Sequence, residues 1–150
     1  MSDARGEIEN LLYTYAERMD AGDLAGVARL FEHAAFRAGD APALTMEQLE
    51  QVYRELVMLH EDGTPRTMHL TTNALIEVDE ATGTARCRSY YTVIQAAGDT
   101  TLQPVVAGRY HDRFERVDGS WRFAERHVHV DLVGDLSRHL RTIPPQIRKR

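Results

Sequence analysis

Two periodicities divide the chain. In the first part, apolar residues recur at three- and four-residue steps. In GEIENLLYTYAERMDAGDL the residues Ile8, Leu11, Leu12, Tyr15, Ala16 and Met19 share one face of a helix. Gly22 ends that helix. Asp23 is placed to cap a second, LAGVARLFEH, with Leu24, Val27, Leu30 and Phe31 on one face. AAFRAGDAP then breaks the pattern. Thr45 followed by Gln48 resembles a capping box, opening a third helix, MEQLEQVYRELVMLHE, with Leu49, Val52, Tyr53, Leu56 and Leu59 inward.

The second part alternates with the period of strands. RTMHLTTNALIEVD runs to the turn EATG, and TARCRSYYTVIQA runs to AGDT. LQPVVAGRYHDRFERV and WRFAERHVHVDLV flank DGS, and Asp118-Gly119 between such runs is a hairpin signal. Helices first and consecutive strands after them predict an α+β fold, an antiparallel sheet with the helices on one face.

At 150 residues, 43% apolar and 27% charged, the chain is expected to form one domain over 1–150, with about 1–6 and 142–150 as frayed tails. A net charge of −5 argues against a general nucleic-acid binder. The basic cluster Arg148, Lys149 and Arg150 reads as part of a tail. The single cysteine, Cys87, excludes an intrachain disulfide and, lying in a strand, reads as a small buried residue. The polar N-terminus lacks a signal-peptide core and no run is long enough to span a membrane, so a cytoplasmic, soluble protein is expected. Neither a Gly-rich phosphate loop nor a complete ligand set is visible, so no cofactor and no metal are expected.

Three stretches carry a family likeness: YAERMDAGDLAGVARLFEHAAF, TMHLTTN and GRYHDRFERVDGSWRFAER. In this order they resemble the opening helices, second strand and final hairpin of the nuclear-transport-factor-2-like, or SnoaL-like, superfamily. The resemblance implies a curved sheet wrapped with helices into a cone that encloses a pocket. It embraces scytalone dehydratase, bile-acid dehydratases, polyketide cyclases, ketosteroid isomerase, dioxygenase small subunits and proteins that catalyse nothing, so fold alone assigns no function.

The resemblance also nominates a site. His69 matches the catalytic histidine of the dehydratase branch and Asp20 the acidic residue that pairs with it, an arrangement suited to moving a proton beside a carbonyl. Tyr15 matches a tyrosine of the bile-acid dehydratases, and Arg126 matches an arginine expected to hold a substrate anion or stabilise an enolate. Tyr110 is expected to line the pocket; Asn73, Tyr91 and Phe36 are further candidates, and Tyr53 fits either pocket or core. If Arg126 points inward, Val128 and Val130 follow it, and His127, His129 and Asp131 face outward. Two histidines on one strand supply too few ligands for a closed metal site, and a β-bulge would reverse the parity.

Departures from scytalone dehydratase argue against scytalone as substrate. YYTVIQ lacks its second histidine, Phe36 stands near one of its pocket tyrosines, and Gly108 and Tyr110 replace a serine and an asparagine. The implied function is a cofactor-free dehydratase or isomerase acting on a hydrophobic ring compound, polyketide- or steroid-like. A non-catalytic ligand-binding or accessory protein is the alternative. Outer strand faces in the resembled family often form oligomer interfaces, so the resemblance implies a homodimer, or else a trimer.

Overall fold

A computed structural model describes residues 3–147. The elements are α1 (Ala4–Asp20), α2 (Leu24–Arg29), β1 (Ala35–Ala38), α3 (Met46–Leu56), β2 (Thr67–Asp79), β3 (Thr84–Gln95), β4 (Gln103–Val117) and β5 (Ser120–Val133), followed by a short 3-10 turn, Pro145–Ile147. The sheet order is β1-β5-β4-β3-β2. All neighbours are antiparallel except β1, which runs parallel to β5. The fold is thus the α+β arrangement expected, with helices packed on a curved, unclosed, mostly antiparallel sheet.

The periodicities explain most of it. Ile8, Leu12, Tyr15 and Met19 of α1 are buried, as the helical stripe requires. The Asp23 side chain caps α2 by accepting from the Gly26 N–H, and Thr45 and Gln48 form the capping box that starts α3. Asp118 and Gly119 both have positive φ, the conformation of the tight turn that joins β4 to β5.

Four expectations need correction. The break at AAFRAGDAP contains a strand: β1 is only four residues, too short for alternation to show, and its backbone is held by parallel pairing with β5. The second helix stops at Arg29 and the third at Leu56. There Val57 leaves the helix to bridge Leu140, and Leu59 is exposed. The N-terminal tail is shorter than expected, because α1 begins at Ala4, which is buried. The C-terminal tail is not free over 142–147, for Pro144 and Ile147 lie against the interior. Arg148, Lys149 and Arg150 lie outside the described residues.

One irregularity decides which side chains of β5 face inward. The β4–β5 register shifts between Arg113 and Phe114: Phe114 pairs with Phe123, but Arg113 pairs with Glu125, so Ala124 is an extra residue on β5. Trp121 and Phe123 face the core before this bulge. After it Arg126, Val128 and Val130 do, and His127 and His129 face outward. One end of the sheet's concave face is filled by Phe123, whose ring centroid lies 4.8 Å from that of Phe31 and 4.7 Å from that of Phe114. The other end is hollow.

Candidate active site

Asp20 is the last residue of α1, and the way that helix ends fixes its position. Gly22, at φ 77°, takes the left-handed conformation of a helix C-terminus, and Asp23 N–H donates to Arg18 C=O at 2.9 Å. A Cβ at Gly22 would lie 2.3 Å from the Gly63 carbonyl oxygen, so only glycine lets the loop that leads into β2 pass so close. That loop delivers Thr67 and His69, two residues apart and on the same strand face. Asp20 Oδ1 accepts from His69 Nδ1 at 2.6 Å and from Thr67 Oγ1 at 2.9 Å; Asp20 Oδ2 accepts the His69 backbone N–H at 2.8 Å. A carboxylate can only accept, so Nδ1 carries the proton and Nε2 is left with a lone pair.

His69 forms part of the wall of a cavity of about 370 Å³. This is at the small end of the ~300–1,000 Å³ range of small-molecule sites, room for a compact ring compound. The walls are mostly aliphatic: Leu49, Val52 and Leu56 of α3, Val93, Val106, Val128 and Val130 of the sheet, and Leu136, Leu140, Pro144 and Ile147 beyond it. Phe36 and four tyrosines, Tyr15, Tyr53, Tyr91 and Tyr110, add aromatic surface. The Tyr15 and Tyr53 hydroxyls lie 2.7 Å apart, which puts Tyr53 in the pocket wall rather than in the core alone. Tyr91 stacks on Tyr110 at 4.5 Å and spends its hydroxyl on the His129 carbonyl. A side chain at Gly108 would collide with both Tyr91 and that carbonyl, so the glycine is what lets Tyr91 lie flat. Burial pushes the hydroxyls of Tyr15, Tyr53, Tyr91 and Tyr110 up, so all four stay protonated at neutral pH.

Arg126 points inward, but the structure does not give it a substrate-facing position. Arg126 Nε and Nη2 donate to the two oxygens of Asp112 at 2.8 and 3.0 Å, and neither side chain is exposed. Its guanidinium lies 3.6 Å from the Tyr110 ring centroid and 4.4 Å from that of Tyr15, beneath residues that form the cavity wall. Burial raises the Asp112 carboxyl, whereas the guanidinium is kept charged because Asp112 outweighs its desolvation. Asn73 is also displaced. A register shift between Thr72 and Leu75 puts it at φ 55°, exposed, on the opposite side of the sheet near Arg88, Tyr90 and His111.

A residue not singled out from the sequence enters the cavity instead. His139 follows the last strand and is 7% exposed, with its ring 6.5 Å from that of His69. Its backbone carbonyl accepts from Met58 N–H, tying the segment to the end of α3. Neither ring nitrogen is hydrogen-bonded among the described residues, and Nδ1 is fully buried. Burial, aided by His69, pushes its pKa down to about 4. The legible signal was Leu136 and Leu140, an apolar pair with His139 beside it in a segment too short to show a period.

His127 and His129 lie on the other face of the sheet. His127 Nε2 donates to the Gly39 carbonyl at 2.7 Å, and Asp131 pairs with Arg109 at 2.8 Å. Among the described residues no group of three or more His, Cys, Asp or Glu is arranged to hold a metal ion. Cys87 is buried and its thiol is pushed up to about 12, mainly by burial, leaving it protonated. No described helix is long and apolar enough to cross a membrane.

Comparison with known proteins adds a family and a set of folds. The model of the SnoaL-like domain family matches residues 1–127. No curated protein matches the chain. A structure of a Mycobacterium tuberculosis protein of unknown function is 28% identical with a TM-score of 0.69, covering 86% of this chain and 72% of that one. A Nostoc punctiforme protein of unknown function with a cystatin-like fold is 23% identical at TM-score 0.69, covering 85% and 90%. A Novosphingobium aromaticivorans protein provisionally assigned as a scytalone dehydratase is 20% identical at TM-score 0.68, covering 87% and 86%.

Proposed function

The chain belongs to the SnoaL-like domain family, and from that premise we propose that it is a cofactor-free lyase or isomerase acting beside a carbonyl on a small hydrophobic ring compound. The observation that carries this is the Asp20–His69 pair, 2.6 Å apart at the wall of an apolar cavity. His69 Nε2 takes a proton from the carbon next to the carbonyl, and its electron pair moves toward the carbonyl oxygen. Asp20, held by three hydrogen bonds, stabilises the imidazolium without moving. The Tyr15–Tyr53 hydroxyl pair donates to the developing enolate oxygen. In dehydration the imidazolium then returns the proton to the departing hydroxyl, which leaves as water as the C=C bond forms. In isomerisation it returns the proton to another carbon. Neither course needs an oxidant, and the aliphatic walls select for a ring with little polar surface.

The test is absorbance of the conjugated enone formed from cyclic β-hydroxyketones and β,γ-enones. His69→Ala is expected to lower kcat by roughly 10²–10⁴. Equal rates in the two proteins would remove His69 from the mechanism. Binding of ring compounds by the wild type without any turnover would make the protein a carrier instead.

The assembly proposed is a homodimer, or a trimer, formed through the outer sheet face. Met68, Leu70, Leu75 and Tyr90 are exposed there, and neighbouring exposed apolar side chains favour association. Light scattering is expected to give at least twice the 17.0 kDa chain mass. A monomer at micromolar concentration would count against it.

A further inference from the structure

We propose that His139 is a second ligand-binding group of this cavity, an imidazole that hydrogen-bonds the same ligand oxygen that His69 addresses. The ligand class this implies is a ring compound bearing a hydroxyl at its edge, with the rest of the molecule apolar. The inference rests on the proposed site but concerns recognition rather than proton transfer.

Four observations carry it. His139 is more than nine-tenths buried and lies in the cavity wall, yet no protein group among the described residues satisfies either ring nitrogen. Buried polar groups are nearly always hydrogen-bonded, so an unpaired one at a cavity is placed for something that enters it. Its ring centroid is 6.5 Å from that of His69. At that spacing one oxygen can lie at ~2.8 Å from a nitrogen of each ring. The two histidines divide the work by environment. Asp20 faces His69 and supports a positive charge there. His139 faces His69 and, more distantly, His60 and Asp20, and its burial keeps it uncharged, so it can donate without opposing the imidazolium. Finally, His139 lies beyond residues 1–127 matched by the family model. Its backbone is nonetheless pinned, by Met58 N–H to its carbonyl and by its own N–H to Leu136.

The probe pair is 2-naphthol and naphthalene, which share a skeleton and differ by one hydroxyl. The wild type is expected to bind 2-naphthol at least ten-fold tighter than naphthalene. His139→Phe should abolish that preference while keeping the naphthalene affinity, and His139→Gln should restore part of it. In the wild type labelled with ¹⁵N-histidine, the His139 ring nitrogens should shift with 2-naphthol and not with naphthalene. This measurement decides the matter even if a variant fails to fold. An unchanged preference in His139→Phe, no binding of either compound to the wild type, or 2-naphthol shifts at His69 alone would each overturn the proposal. Turnover does not enter this test. A protein inactive in the enone assay that shows the His139 shifts keeps this inference and loses the catalytic one.

Discussion

Among the described residues, Asp112 and Asp20 are each paired with a basic side chain on the inner side of the sheet, and the two pairs are built for opposite ends. Asp112 and Arg126 are both fully buried, joined by two parallel hydrogen bonds and covered by Tyr15, Tyr110 and Phe123. Asp20 and His69 keep 21% and 7% of their side-chain surface, and His69 lines the cavity. The partners differ in kind as well. A guanidinium stays charged at any working pH, so Asp112 can never be released from neutralising it. An imidazole can gain and lose a proton, and Asp20 supports either state. A buried polar pair is therefore not a site by virtue of being buried and paired. It needs an open side and a partner that can change its charge.

The sharpest way to break this comparison is the same substitution in both pairs. Asp112→Asn leaves a guanidinium buried without its counter-charge. It is expected to destabilise the protein by about 3–5 kcal/mol, read from the urea midpoint. Replacing the whole pair, Arg126→Met with Asp112→Leu, should recover most of that loss. Asp20→Asn strands no permanent charge and should cost only about 1 kcal/mol of stability, while lowering turnover in the enone assay by more than ten-fold. Similar destabilisation from both single changes would erase the distinction.

A second measurement sets His139 against these pairs. Its folded pKa of about 4 lies below the ordinary ~6.5, so between those values the unfolded chain binds a proton that the folded one does not. Stability is therefore lost as pH falls from ~6.5 to about 4, by up to about 3 kcal/mol from this group. Denaturant titrations at pH 7 and pH 4.5 should show a smaller difference for His139→Phe than for the wild type; equal differences would contradict the assignment. The smallest expected effect is at Thr67. Thr67→Val removes one of the three bonds that orient Asp20 and should lower kcat about three- to ten-fold, with stability down by about 1 kcal/mol. No change in kcat would mean that the remaining two bonds suffice.

Local signals were legible wherever one segment decided its own structure. The stripe of α1, the caps of α2 and α3, and the turn at Asp118-Gly119 follow from residues within a few positions of one another. The nearness of Asp20 and His69 came through the family likeness, since no local rule joins a helix end to a strand that far along the chain. What escaped the sequence reading depends on contacts between distant segments. β1 exists because β5 lies beside it, and Asn73 is turned out by a bulge. His139 enters the cavity because Met58 and Val57 hold the returning chain. Arg126 is buried against Asp112, which no local pattern pairs with it. Asp112 and Arg126 are direct cross-strand partners, a pairing that exists only after the register shift.

That shift makes β5 a strand with two latent identities. Counted back from a two-residue turn without interruption, the alternation that buries Trp121 and Phe123 would carry on through Glu125, His127 and His129. It would send Arg126, Val128 and Val130 to the surface. The interior would then hold an acid and two imidazoles where it now holds a sealed ion pair and two valines. Ala124 acts like a frame-setting letter: one residue, with almost no chemistry of its own, decides which half of the strand's text is read by the cavity and which by the outside. A relative that lost or gained a residue at this point would spell nearly the same sequence and present the opposite face.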